Sequence, residues 1–254
     1  MKHEDKTYNW LDKIILPIIL IIIWYILADV LMILPSYTFP GPVEVFNSFI
    51  NLLTSGRLVT DILDTLYKVI LGLIIAAIVG ISLGLMAGWS KYFERLTSVI
   101  VSVLRPIPPI AWIPFSILWF GIGSLPAIFI IFMGCVFPIF VYTVDGVHRT
   151  KKVLIESALT FGVTNEQMIT EVILPSTIPY IVSGLKVAIG IALMCTISGE
   201  MIGSSSGIGY MILTSTNLFD TGSTVVGMLL IGFIGIIFDY IFTKIQEKIF
   251  WYGE

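Results

Sequence analysis

Charge is what this chain has least of. Asp, Glu, Lys and Arg make up 12% of its 254 residues, against about 25% in an ordinary globular chain. Together with 57% hydrophobic residues and a mean hydropathy of +0.99, that deficit excludes a soluble cytosolic enzyme, a nucleic-acid binder and a disordered tail. Positive charge is not in excess either. The formal net charge is -3, and Lys and Arg fall in short clusters between apolar runs, so no footprint for DNA or RNA is present. Cysteine is nearly missing: Cys135 and Cys195 lie inside apolar stretches without a CxxC or His companion, which argues against a disulfide framework or a zinc site. The two histidines, His3 and His148, have no serine partner and no HExxH motif, so an intramembrane hydrolase would lack its base or metal cluster. No G-x-x-x-x-G-K-[ST] phosphate loop occurs, so the chain is not an ATP-hydrolysing motor.

What is present is long apolar sequence. A helix needs roughly 20 mostly apolar residues to cross a bilayer, where lipid offers no partner to a free N–H or C=O. Such stretches occur at 14–34, 66–87, 96–118, 125–144, 178–197 and 225–242. In the third, Pro106, Pro108, Pro109 and Pro114 each remove a backbone donor, which predicts two half-segments. The first is too long for a secretory signal and has no A-x-A-like site after it, so an uncleaved anchor is expected. With the N-terminus inside, Lys2, Lys6, Lys13, Lys91, Arg95, Arg149, Lys151, Lys152, Lys244 and Lys248 lie inside, against Arg57 and Lys68 outside. That asymmetry places both termini in the cytoplasm. Residues 42–53 carry Val43, Phe46, Phe49, Ile50 and Leu53 at helical spacing, reading as a helix flat on the outer surface or else an ordinary loop. In the second span Gly72, Ala76, Gly80, Gly84 and Gly88 recur every fourth residue, a small-residue stripe for close helix packing.

Residues 145–175 are too polar to cross and lie on the positively charged side. They read as two short helices: one over 151–161, with Gly162 at a left-handed C-terminal cap, and one opened by a Thr164/Gln167 capping box and stopped by Leu174-Pro175. A connection needs far fewer residues, which leaves docking to another protein or a helix pair that finishes the fold at the membrane surface.

At these residues the chain resembles a known family. Glu156, Ala158, Gly162, Leu174 and Pro175 match the E-A-A, then G, then L-P signature of ABC importer permeases, with Ser157 in place of the usual second Ala. Residues 105–114 (R-P-I-P-P-I-A-W-I-P), the W-F-G-I-G at 119–123, the G-E-M-I-G-S-S-S-G-I-G at 199–209 and the terminal 251–254 resemble the nitrate/sulfonate/taurine branch. The resemblance runs from about residue 41 onward and implies an all-α polytopic protein of the type I ABC importer permease fold, with about six transmembrane helices, in the cell membrane. It implies a cytoplasmic tail at 1–13, an anchor at 14–34, an extracytoplasmic segment at 35–60 and a permease domain at 61–254 with its coupling loop at 145–175. It also implies partners: two cytoplasmic ATPases docked on Glu156, Ser157, Ala158, Gly162, Leu174 and Pro175, a substrate-binding protein outside, and a second permease copy, as a homodimer or one half of a pair. No cofactor is expected on this chain; ATP and Mg would be bound by the ATPase.

Ionisable residues at bilayer depth are candidates for function because an unpaired charge there costs about 3 kcal/mol. Arg105, in the proline-broken span with Pro106, Pro108, Pro109 and Trp112, suits a small anion such as taurine, an alkanesulfonate or nitrate; the alternatives are an ion pair with Glu200 or a snorkelling side chain. Glu200 precedes the turn at 203–209, either a tight outer connection or part of a surface for the binding protein. Lys186 is expected to snorkel inward, and Asp29 and Asp239 read as span-end residues. Thiamine-precursor pyrimidines or riboflavin are the alternative substrates within the family. An ion-coupled secondary transporter would use the broken span and buried charges but has no use for the docking loop.

Overall fold

The computed structural model describes residues 10–33 and 35–251. The first nine residues of the expected tail, Leu34 at the end of the first expected span, and residues 252–254 of the terminal resemblance lie outside them. Among the described residues the chain is helical, without strands. Backbone contacts divide it into two compact units, one reaching to Val59 and including Met211–Leu229, the other comprising Thr60–Tyr210 and the chain from Leu230 onward.

In the first unit, α1 (Trp10–Tyr25) passes into a π-helical turn, Ile26–Val30. The apolar helix here runs over Ile15–Val30, shorter than the other spans. Its isoleucines and leucines are exposed apart from the half-buried Leu27, as lipid contact requires. The indole of Trp24 donates to the Pro40 carbonyl (3.0 Å), and Asp29 approaches Gly41 so closely that a Cβ there would overlap its carboxylate. Gly41 and Pro42 open α2 (Pro42–Thr54), proline suiting a first turn whose N–H groups lack helical partners. Glu44 on α2 has its carboxyl held above the usual range, by burial first and then by the negative charges of Asp220 and Asp29.

The second unit holds the bundle. Helix α3 (Arg57–Trp89) and helix α6 (Ser124–His148) are pressed together through the glycine stripe. Gly72 meets Ile131, Gly80 meets Ile139, Gly84 meets Thr143 and Gly88 meets Val147. The pairs advance together, so the two helices run parallel. A Cβ on Gly84 would stand 2.6 Å from that of Thr143, so glycine is what permits this approach. Parallel neighbours require the chain to return across the membrane between them. The return is a broken span: α4 (Lys91–Leu104), a 3-10 turn (Pro109–Trp112) and α5 (Ile113–Phe120), bent by 87° where the prolines remove donors. Aromatic contacts of Trp112, Trp119 and Phe120 with Phe129 seat α5 on α6.

After α6 come α7 (Lys152–Thr160), the short α8 (Asn165–Gln167), a π-helical turn (Met168–Ile173) and α9 (Leu174–Gly203). From Asn165 to Gly203 these form one helix of 39 residues. The expectation that Pro175 ends the second loop helix is therefore wrong. The wider π turn resets the hydrogen-bond register so that Pro175 falls in the first turn of α9, where no donor is demanded, and the hydroxyls of Ser176 and Thr177 bond the carbonyls of Val172 and Ile173 (2.7 and 2.8 Å). Helix α9 runs antiparallel to α6, Gly199 lying on Ala127 and Gly184 on Tyr142. The remaining helices are α10 (Ile208–Asn217) and α11 (Thr221–Trp251). Gln246 reaches Ser183, and Lys186 bonds Thr243 (2.8 Å) and pairs with Asp239 (3.4 Å), so α11 is antiparallel to α9. Lys186 and Asp239 are thus partners, where sequence suggested a snorkelling lysine and a lone span-end residue. These directions put the end of α11 on the same face as α7. By length and apolarity four helices among the described residues qualify as spans, five with the bent pair, and the expected first span is represented by the shorter apolar helix Ile15–Val30.

Candidate functional site

Three places concentrate the polar chemistry of the second unit. The first is the loop on the α7 face. Helix α7 ends in a Schellman cap: Gly162 N–H donates to Leu159 O (3.0 Å), Val163 N–H to Ala158 O (3.2 Å), and Gly162 takes φ +73°. Thr164 and Gln167 then form the capping box predicted from their spacing. Ala158 packs with Val147, Met168 and Ile173 into a buried cluster under the loop, joined by Leu85 of α3. Glu156 and Ser157 point outward, beside the exposed apolar side chains of Val153, Leu154, Leu159 and Phe161. Leu174 is half-buried and Pro175 exposed, both within the continuous helix rather than at its stop.

The second place is the bend. Arg105 follows α4 and lines a cavity of about 400 Å³ against the middle turns of α6 and α9. Ile107, Pro109, Met133, Phe137, Val187 and Ile191 supply most of its apolar wall. A second cavity, of about 250 Å³, shares Arg105 and Val141 with the first; its wall is also mostly apolar, with Glu94, Asp145, Thr97, Ser98 and Ser102 as its polar members. Among the described residues the Arg105 guanidinium has neither an ion pair nor a side-chain hydrogen bond. Pro106 and Pro108 are exposed at the break, Pro109 enters the cavity wall, and Trp112 belongs to the aromatic group beside it.

Glu200 is elsewhere. It is fully buried at the far end of α9 and pairs with Lys68 of α3 (3.1 Å), itself fully buried, so the suggested Arg105–Glu200 pair does not form. The ammonium of Lys68 also donates to Asp64 (2.7 Å), Ser204 Oγ (2.9 Å) and the Ser206 carbonyl (2.8 Å). Glu200 accepts from Thr65 Oγ1 (2.9 Å) and from the N–H of Gly209 (2.8 Å). The N–H of Gly207 goes to Asp61 (3.1 Å), that of Ile208 to Thr65 Oγ1 (2.8 Å), and Ser206 Oγ to Asp64. A Cβ on Gly207, which has φ +105°, would overlap the Glu200 carboxylate. The turn at 203–209 is thus a tight connection with Ser205 as its exposed residue. Reading by sequence missed Asp61, Asp64, Thr65 and Lys68. Their i, i+3, i+4, i+7 spacing was the available signal, one polar stripe on an otherwise apolar helix.

Comparison with known proteins agrees with this architecture. The family of binding-protein-dependent transport system inner membrane components matches residues 80–250. A protein of Methanocaldococcus jannaschii named as an ABC transporter permease is 37% identical over 250 residues, covering 96% of this chain and 93% of its own. A Bacillus subtilis protein named as an aliphatic sulfonates transport permease is 31% identical, covering 98% of this chain and 90% of its own. Among solved structures, the inward-facing MetNI methionine ABC transporter superposes with a TM-score of 0.69 at 20% identity, over 76% of this chain and 96% of that one, a likeness of fold.

Proposed function

The chain belongs to the family of binding-protein-dependent transport system inner membrane components, and on that premise we propose that it carries a small organic anion, with Arg105 as the cation that meets it. It is a multi-pass permease subunit of an ABC importer in the cell membrane, a transport component rather than an enzyme.

One observation supports the anion reading above the others: Arg105, itself exposed, stands on the wall of the cavity at the bend with no counter-charge bonded to it among the described residues. A guanidinium held within the bilayer without a partner costs about 3 kcal/mol, and an incoming anion would offset such a cost through charge-assisted hydrogen bonds. The pairing of Glu200 with Lys68 removes one of the two structural explanations for this arginine, the other being a snorkelling side chain. The wall around it is mostly aliphatic and aromatic, and its volume of about 400 Å³ suits an anion with an apolar body better than nitrate. We therefore favour an alkanesulfonate, in line with the name of the Bacillus subtilis relative. Taurine would have to place its ammonium toward Glu94 and Asp145.

The remaining assignments follow the family. The loop from α7 to α8 docks a cytoplasmic ATPase through Glu156, Ser157 and the exposed apolar residues around them, over a core built on Ala158. That ATPase holds ATP and Mg; a substrate-binding protein delivers solute from outside; and a second copy of the chain completes the pathway, both termini facing the cytoplasm. The reading is tested by reconstituting the chain with an ATPase and a binding protein and measuring ATP-driven uptake of a labelled alkanesulfonate. Competition by other alkanesulfonates but weakly by nitrate is expected; uptake displaced equally well by a neutral pyrimidine would sink it.

A further inference from the structure

Nothing in the pathway above uses the Lys68–Glu200 network, although it contains the most deeply buried charges of the second unit. Its location is informative. Loop and network sit at opposite ends of the same helix, 39 residues from Asn165 to Gly203 and about 58 Å long at 1.5 Å per residue. At the loop end, α3 and α6 are joined to that helix through Leu85, Val147, Met168 and Ile173. At the other end, the join is ionic, and Gly123 N–H adds a bond to the Gly203 carbonyl (2.8 Å).

The connection from Ser204 to Gly207 has no regular structure of its own. The N–H groups of Gly207 and Ile208 are taken by Asp61 and Thr65 of α3, that of Gly209 by Glu200, and the Ser206 carbonyl by Lys68. Its shape is therefore imposed by the polar stripe of α3. Lys68 touches α3 at Asp64, α9 at Glu200 and the connection at Ser204 and Ser206. Without that ammonium the fully buried Glu200 carboxylate would lose its counter-ion while the partly exposed Asp64 carboxylate stayed beside it, and the outer end of α9 would part from α3.

We infer that Lys68 is a positioning residue for transport: it locks the outer ends of α3 and α9 together so that displacement of the cytoplasmic loop reaches the outer side of the membrane. The inference rests on the permease reading, because what Lys68 sets is the amount of solute moved per ATP. A network that only held the fold would, when broken, reduce the quantity of folded complex and leave that ratio unchanged.

The experiment uses the full complex of permease, ATPase and binding protein in proteoliposomes. For Lys68→Met, the ratio of solute taken up to ATP hydrolysed is expected to fall about tenfold or more, since a broken buried pair shifts equilibria by at least that much, while ATP hydrolysis per assembled complex persists. An unchanged ratio would overturn the inference. Should the variant fail to assemble, a second measurement decides. Spin labels at the exposed positions Leu63 and Ile202, introduced as cysteines with Cys135 and Cys195 replaced by alanine, report the distance between the outer ends of α3 and α9. That distance is expected to be the same with and without ATP, and a shift of more than about 5 Å, a full helical turn, would also overturn the inference. Absence of ATP-driven uptake by the unsubstituted protein would instead remove the permease reading, and this inference with it.

Discussion

Replacement of Gly162 separates a docking surface from a simple helix terminator. The residue lies at φ +73°, and no atom lies within 4 Å of where a Cβ would stand. Within the chain a side chain there meets conformational strain and no clash. For a typical L-residue that strain is about 1–2 kcal/mol, and Asn and Asp escape much of it through local hydrogen bonds. Gly162→Ala should therefore lower the stability of the loop by about 1 kcal/mol, with Gly162→Asn and Gly162→Asp nearer the parent. If α7 and its cap face an ATPase, the same series reads differently at the interface. Asp then places an unpaired charge against a partner, and association and ATP hydrolysis should fall about tenfold or more, despite the small effect on folding. Thermal midpoints of the purified subunit, co-purification with the ATPase and ATP hydrolysis in nanodiscs give the three readouts. Gly162→Asp that associates and hydrolyses ATP as the parent does would refute the docking account.

Three other changes test the packing. Gly84→Leu drives a side chain into Thr143 and the Phe140 carbonyl and should destabilise the bundle by about 1–3 kcal/mol; Gly232→Ala, where nothing lies within 4 Å, should be tolerated, as thermal unfolding in detergent will show. Met168→Ala empties the centre of the cluster beneath the loop and should cost about 2–5 kcal/mol, read as faster proteolysis within 150–165. Glu44 has a raised pKa, so ionising it opposes folding: the penalty is absent below the ordinary carboxylate range and grows as pH rises through the raised value. Glu44→Gln should accordingly raise the thermal midpoint at about pH 8 and have little effect at about pH 4.

Local patterns carried much of this architecture. Apolar length marked the spans, the prolines after Arg105 marked the break, and Gly162 and the Thr164/Gln167 pair marked the two caps, because each depends on residues within one or two turns. The glycine stripe announced that α3 packs closely; its partner on α6 could not be read, since nothing local encodes which helix supplies Ile131, Ile139, Thr143 and Val147. Pro175 misled for a related reason. Proline ends a helix only where the register demands its missing donor, and the π turn before it removes that demand. Lys68 and Glu200 lie 132 residues apart. Glu200 was visible as an ionisable residue in an apolar run, whereas Lys68 counted only as a charge near the outer end of its span, and their pairing depends on how α3 and α9 are brought together. Once Glu200 is assigned to Lys68, Arg105 stands as the cation of the bend cavity, which a list of buried charges alone does not reveal.

The most direct test of the account is the concentration dependence of ATP-driven alkanesulfonate uptake by the reconstituted importer, comparing the parent chain with Arg105→Gln. Loss of one charge-assisted contact in a low-dielectric cavity should raise the apparent KM about tenfold or more, with the ATPase still assembled and active. An unchanged KM in Arg105→Gln would contradict the assignment of Arg105 as the residue that receives the anion.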